Sequence, residues 1–194
     1  MNVFLDLGTH YGEGLENFCN LYNIDETWIV HTFEANPITY DEFVKKYNKR
    51  KWVRHHNKAI GITNGFVILN IETLTDGIQT GEGSSTVNID KWNPWNLRER
   101  GAFKNQIEVE SIDFSKFIID NFNDRDYILC KMDIEGSEYD VLEKMIFDNS
   151  IDYIDHIIIE WHSNFFDNSS EMMERQIKIQ KILTDRNIKV ENWK

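Results

Sequence analysis

Asp6-Leu7-Gly8-Thr9-His10-Tyr11-Gly12-Glu13-Gly14 joins an apolar run, Asn2 to Leu7, to a segment with Leu15, Phe18, Cys19 and Tyr22 at helical spacing. A strand that turns through glycines into a helix is the opening unit of a βαβ fold. The glycines let the backbone bend sharply and come close to a ligand at the helix start. The order is Gly-x-x-x-Gly-x-Gly rather than the Gly-x-Gly-x-x-Gly of nicotinamide-dependent dehydrogenases. An acid just ahead of the first glycine repels a pyrophosphate and suits a ligand carrying an ammonium group and no phosphate. A plain strand-to-helix turn explains the same glycines, so the rest of the chain has to decide.

Outward from this turn, short β-rich runs alternate with helical periodicity. Trp28 to Phe33 reads as a strand, Thr39 to Tyr47 as a helix and Trp52 to His56 as a third strand. This order predicts parallel strands with right-handed crossovers. Phe66 to Ile71 is strand-like and leads into a glycine-rich loop, Gly77 to Ser85, and a tryptophan-rich stretch, Trp92 to Phe103. Alternation resumes with a strand over Ile107 to Ile112, a helix over Phe114 to Phe122, a strand over Tyr127 to Met132 and a helix over Ser137 to Phe147. Ile154 to Trp161 is nearly continuously apolar, as suits a parallel strand covered on both faces. A helix over Ser170 to Thr184 and a short strand over Ile188 to Trp193 close the chain. The expected architecture is one α/β domain over residues 1–194, a mostly parallel twisted sheet with helices on both faces. Its ligands bind beyond the carboxyl ends of the strands.

Bulk properties narrow the function. The 194 residues carry a formal net charge of -12. Such a balance repels phosphate backbones and anionic membranes, so neither nucleic acid nor membrane is expected as partner. Cys19 and Cys130 form neither a metal-type spacing nor a disulfide framework and read as reduced thiols. The opening residues lack a signal-peptide pattern and no apolar run is long enough to cross a bilayer, so a cytoplasmic location is expected.

The chemistry-bearing residues stand at the strand ends. Phe33-Glu34-Ala35-Asn36-Pro37 follows the second strand, where a carboxylate accepts both hydroxyls of an adenosine ribose. Glu34 as a helix cap, with Pro37 in the first turn, is the structural alternative. Lys131-Met132-Asp133-Ile134-Glu135-Gly136-Ser137-Glu138 follows the strand ending at Met132. Ser137 and Asp140 make a capping pattern and Glu138 favours a helix start, which explains those three structurally. Asp133 and Glu135 sit where a substrate lies. Glu160-Trp161-His162 brings a second titratable cluster to the next strand end.

These segments, in this order, resemble the FkbM-type family of S-adenosylmethionine-dependent methyltransferases. The resemblance rests on Phe4-Leu5-Asp6-Leu7-Gly8 with Gly12, on Phe33 to Pro37, on the Gly81 to Thr86 loop, and on Val109-Glu110-Ser111-Ile112-Asp113. It continues through Lys131 to Glu138 with Val141-Leu142, and ends with Ile157-Ile158-Ile159-Glu160. It implies a Rossmann-like class I methyltransferase fold and S-adenosyl-L-methionine as cofactor, with S-adenosyl-L-homocysteine as product. Asp6 and Gly8 are then expected beside the methionine moiety, Glu34 on the ribose and the Asn57 to Ile60 stretch, with Ala59, near adenine; Thr9, His10 and Asn36 are further expected cofactor contacts. Asp133 borders both ligands. His10 and Tyr11 replace the small residues common in the first loop, and the chain opens directly on the first strand without the extension many relatives carry.

The family mostly methylates hydroxyls, often of sugars and other small natural products, so the expected acceptor is a sugar, nucleotide sugar or glycan. His162 is the first candidate for a general base, since an ordinary imidazole pKa near 6.5 suits neutral pH, and such a base adds a factor of about 10²–10⁴. Asp133 is the second. Glu135, Trp161 and Trp95 are the candidate acceptor contacts, with Trp92 as a further flat apolar face and Arg98 and Arg100 as phosphate partners. No metal is expected, because the resemblance carries no metal pattern here. Three rivals stay open: a metal-assisted methyltransferase using Asp133, Glu135, Glu160 and His162, a nicotinamide-dependent oxidoreductase, which the first-loop spacing disfavours, and a non-catalytic cofactor-binding or interaction protein. A homodimer is compatible with each.

Overall fold

The computed structural model describes residues 1–71, 84–92 and 105–193. Six strands form one sheet: β1 (Asn2–Leu7), β2 (Ile29–Phe33), β3 (Val53–His56), β7 (Tyr127–Met132), β8 (His156–Ile159) and β9 (Lys189–Asn192). Their order is β3-β2-β1-β7-β8-β9, and each neighbouring pair is parallel. The chain winds outward from β1 in one direction and from β7 in the other. The junction between β1 and β7 is therefore the switch point at which open α/β sheets leave a crevice.

Successive side chains of a strand point to opposite faces, and each face is covered by its own helices. Val3, Leu5 and Leu7 of β1, with Ile128, Cys130 and Met132 of β7, pack against α3 (Phe114–Asn121), α4 (Glu138–Phe147) and α5 (Ser169–Asp185). Phe4 and Leu129 project to the other face and meet Leu15 and Phe18 of α1 (Glu13–Leu21) and Phe43 and Tyr47 of α2 (Pro37–Tyr47). Each such fully buried apolar side chain contributes about 1.5–3 kcal/mol. The same alternation carries Asp6 and Lys131, paired across β1 and β7, onto this second face and buries both.

Phe66 to Ile71 and Ile107 to Ile112 are strands, as the sequence predicts, but they stand outside the main sheet. Strand β5 (Gly65–Ile71) pairs antiparallel with β6 (Asn105–Asp113), and β6 pairs parallel with β4 (Ala59–Gly61), in a sheet ordered β4-β6-β5. Three residues show no periodicity, and β4 was not legible in the sequence for that reason.

Two capping expectations are corrected. Asn36, not Glu34, caps α2: its side chain accepts from the Ile38 N–H at 3.0 Å, with Pro37 at the first helical position. Ser137 and Asp140 form no cap on α4. The Ser137 hydroxyl pairs with that of Thr86 at 2.7 Å, and Asp140 accepts from Arg175 at 2.7 Å. Trp92 is buried and stacks on Phe165, a packing role rather than an exposed platform.

Candidate functional site

A cavity of about 250 Å³ opens at the β1–β7 switch point. Its floor is made by the ends of β1 and β2. The Gly8 and Thr9 N–H groups both donate to the Phe33 carbonyl at 3.0 Å, which binds the first loop to the second strand. Gly8 has φ +75°, and a Cβ there would lie 1.7 Å from the Asp133 carbonyl oxygen. Only glycine lets the β1 and β7 loops meet this closely. Gly12 is as constrained, at φ +89° against the Phe43 and Tyr47 rings.

Glu34 stands on the cavity wall with its carboxylate fixed at both oxygens. It accepts from the His10 N–H and from the Asn36 N–H, each at 2.8 Å. Burial pushes its pKa above the usual carboxylate range against the pull of these two donors. A carboxylate oxygen has room for a second hydrogen bond, so Glu34 is a pre-oriented acceptor for a diol. The Asn57 side chain donates to the Glu34 carbonyl at 2.9 Å and carries the chain toward Lys58, Ala59 and Ile60, which line the far wall.

The opposite wall is acidic. Asp133 follows β7, with its N–H bonded to the Leu7 carbonyl. Its Oδ2 lies 3.3 Å from the Lys131 ammonium. Lys131 is itself buried, 3.7 Å from Asp6, and donates to the Gly8 carbonyl at 2.6 Å. Burial opposes that positive charge, but the Asp133 and Asp6 carboxylates outweigh it and raise its pKa. Next along the loop, Glu135 adopts φ +52° and Gly136 φ +99°. A left-handed glutamate costs of the order of 1–3 kcal/mol and persists only when its surroundings enforce it. Glu138 supplies part of that enforcement. Fully buried, its carboxylate accepts from the Ile134 N–H at 2.9 Å and the Gly136 N–H at 3.0 Å.

The same Glu138 carboxylate holds His162, whose Nδ1 lies 3.0 Å from Oε1. The ring's other nitrogen, Nε2, points between Glu135 Oε2 at 3.6 Å and Asp133 Oδ1 at 3.8 Å. Burial alone lowers a histidine pKa, yet Glu138, Glu135 and Asp133 reverse the sign and push it up to about 9. This removes the ground for a free base with an ordinary imidazole pKa. At neutral pH the isolated ring holds its proton among three carboxylates.

The structure thus brings Gly8, His10, Glu34, Ala59, Asp133 and Glu135 onto one cavity wall or another. It does not bring Asp6, Thr9 or Asn36 there. Asp6 and Asn36 are fully buried; Asp6 pairs with Lys131 behind the wall, Thr9 donates to the Asp6 carbonyl and Asn36 caps α2. In this structure they stand behind the wall: alternation along β1 turns Asp6 to the second face, the Thr9 hydroxyl is tied to the Asp6 carbonyl and Asn36 is held at the start of α2. Trp161 packs against Tyr139, with ring centroids 5.5 Å apart. Trp95, Arg98, Arg100 and residues 81–83 of the glycine-rich loop lie outside the described residues.

The sequence pointed to Lys58 only through the Asn57 to Ile60 stretch and to Ser84 and Thr86 only through the Gly81 to Thr86 loop, and it gave no sign of Leu69 on the cavity wall or of Glu138 behind it. Leu69, Ser84 and Thr86 arrive through the small sheet and the bridge of Asn70 to Ser85. Ser85 then donates to the Glu135 carbonyl at 2.6 Å. Nothing local announces a partner 50 residues away. Glu138 read as an ordinary helix-start acid for the same reason.

Among the described residues no helix is long and apolar enough to cross a membrane. No curated protein sequence matches the chain. A solved structure of methyltransferase FkbM from Methylobacillus flagellatus KT has the same fold, with a TM-score of 0.51 at 15% identity. The match covers 94% of this chain and 38% of that one, so the chain spans well under half the length of that relative. The methyltransferase FkbM domain model matches residues 6–183. The chain belongs to the FkbM methyltransferase domain family.

Proposed function

We propose that the protein transfers a methyl group from S-adenosyl-L-methionine to a hydroxyl of a small-molecule acceptor, with carbohydrate as the acceptor class. The observation that carries this reading is Glu34, a carboxylate pinned by two backbone donors beside the Gly8 turn at the switch point. That arrangement supplies a ribose acceptor and leaves the first loop free for the rest of the cofactor. Glu34, Asp133 and Glu135 on the walls favour a cofactor bearing an ammonium and a sulfonium over a pyrophosphate. His10, at φ +53° on the cavity wall, has an Nε2 with no hydrogen-bond partner among the described residues and is offered to the cofactor's amino-acid end.

The acceptor lies against Asp133 and Glu135, each about a quarter exposed. Carboxylates only accept hydrogen bonds when ionised, so this wall orients hydroxyl groups, and a polyol offers several. Methyl transfer is an in-line displacement whose main demand is alignment, and good alignment supplies roughly 7–11 kcal/mol of the barrier. His162 sits behind the two carboxylates as their positively charged partner rather than in front of them as a base.

The test has two stages. Calorimetry should detect S-adenosylhomocysteine binding in the micromolar range, and a panel of sugars and sugar nucleotides incubated with S-adenosylmethionine should yield a singly methylated product. No heat and an unchanged melting temperature with S-adenosylhomocysteine would end the reading. Binding with methylation only of non-hydroxyl acceptors would replace its second half.

A further inference from the structure

We propose that Asp133, Glu135 and His162 form a divalent-cation site, suited best to Mn²⁺, whose remaining coordination positions face the cavity and hold the acceptor hydroxyl. The catalytic half rests on the methyl-transfer reading; the binding of the ion does not. One ligand atom from each residue lies within 4.8 Å of the others. Bonds of about 2.1 Å in octahedral geometry set neighbouring ligands about 3.0 Å apart and opposite ones about 4.2 Å apart. The observed separations of His162 Nε2 from Glu135 and Asp133, 3.6 and 3.8 Å, fall between these limits.

A second observation is independent of the carboxylates' proximity. The His162 side chain is 3% exposed, and its Nε2 is aimed into the cluster at ion-pair range from both acids but outside hydrogen-bond range of either. Both contacts are ion pairs of the protonated ring, and a divalent cation seated among the three groups takes the place of the Nε2 proton, which leaves to solvent. The other ring nitrogen is occupied by Glu138 at 3.0 Å. A carboxylate holding Nδ1 fixes the tautomer and orients Nε2 outward, the arrangement that supports histidine as a metal ligand. Glu138 also clamps the loop presenting Asp133 and Glu135 through the Ile134 and Gly136 N–H groups, so one buried residue orients all three.

The donor set selects the ion. Two carboxylates alone suit Mg²⁺ or Ca²⁺, while an added imidazole shifts preference toward the transition metals. Three protein ligands leave positions open, as in catalytic rather than structural sites. A hydroxyl oxygen bound there is acidified, and its proton passes to water at the cavity mouth. The oxygen lone pair forms the new bond to the methyl carbon while the carbon–sulfur pair returns to sulfur, converting the sulfonium into a neutral thioether. The site narrows the metal-assisted alternative to Asp133, Glu135 and His162, and adds Glu138, 24 residues from the ring it orients, as the group that positions them.

The experiment is a titration of MnCl₂ into the full chain, followed by loss of the free-ion paramagnetic resonance signal and by ¹⁴N modulation of the bound ion. One bound Mn²⁺ with imidazole ¹⁴N coupling is expected. His162→Ala should abolish the coupling, and His162→Ala and Glu135→Gln should each weaken binding at least tenfold. Glu138→Gln, a positioning change, should weaken it about 10–100-fold. Asp120→Asn, on the exposed surface of α3, should leave it unaltered. Glu135 is partly exposed, so its variant keeps the test valid where His162→Ala unfolds. Mn²⁺ binding without ¹⁴N coupling, or equally weakened by Asp120→Asn, overturns the site in favour of diffuse attraction to an acidic surface. S-adenosylhomocysteine binding with no Mn²⁺ site overturns this inference alone; a Mn²⁺ site without S-adenosylhomocysteine binding upholds it and removes the methyl-transfer reading.

Discussion

His31 on β2, with its neighbour His56 on β3, and His162 in the loop after β8 make a contrast: His31 and His162 are buried to similar depth and behave in opposite ways. On the β2–β3 side His31 and His56 stack with rings parallel, 5.2 Å between centroids, and Nδ1 of one lies 3.0 Å from Nε2 of the other. Phe33, Phe117 and Phe122 surround them, and Arg54 is the nearest charge to His31. Burial first, then positive charge nearby (His56 and Arg54 acting on His31; Lys58, His55 and Arg54 acting on His56), drives His31 down to about 3 and His56 to about 4. On the β7–β8 side His162 is buried like His31 but ringed by Glu138, Glu135 and Asp133, and its pKa rises to about 9. Burial sets the stakes and the sign of neighbouring charge decides the outcome. One region is a neutral packing block, the other a charged assembly aimed at a cavity.

The comparison breaks first at Glu138. Glu138→Ala strips the carboxylate from His162 and from the Ile134 and Gly136 N–H groups at once. Removing one partner of a buried pair costs about 3–5 kcal/mol. Chemical denaturation should show that loss, and a cost below about 1 kcal/mol would mean the cluster is not held as described.

Glu34→Ala tests the opposite wall of the cavity. It should weaken S-adenosylhomocysteine by roughly 1.5–3 kcal/mol, the value of a hydrogen bond to a charged group. Global stability should change less, because the two short bonds Glu34 accepts come from its own loop and the adjacent one. Calorimetric affinity equal to wild type would remove the ribose role.

The neutral pair makes a pH prediction with a definite sign. The folded pKa values of His31 and His56 lie below the unfolded value near 6.5, so the unfolded chain binds protons first as pH falls. Stability contributed by the neutral rings is complete above pH 6.5 and lost as pH falls, down to about 4 for His56 and about 3 for His31. The slope is at most about 1.4 kcal/mol per pH unit for each ring. Denaturation midpoints measured across that window should fall, and His56→Phe should flatten the fall. A midpoint flat from pH 6.5 to 4.5 would show that these rings are charged in the native state.

The smallest effect belongs to a site outside both regions. The Asp113 side chain caps α3 by accepting from the Lys116 N–H at 3.0 Å. Asp113→Ala should cost about 1 kcal/mol, as for other lost caps. It should leave the acid slope and cofactor affinity untouched, which makes it the reference for the other three.

The sequence by itself determined the main architecture. Periodicities of two and 3.6 marked β1, β2, β3, β7 and β8 with their helices, and the glycines at 8 and 12 placed the turn that opens the crevice. It also placed Glu34, Asp133, Glu135 and His162 at strand ends, since a parallel sheet must gather those ends along one edge. Only the tertiary structure decided which of them face the cavity. Asp6 and Lys131 turned inward by alternation across paired strands, and the β4-β6-β5 sheet, built around a three-residue strand, delivered Leu69 to the wall while the Asn70–Ser85 bridge brought Ser84 and Thr86. The charge of each histidine was decided there as well. A side chain's identity is local, but the sign of the field around it is set by residues that meet it only after the chain has folded.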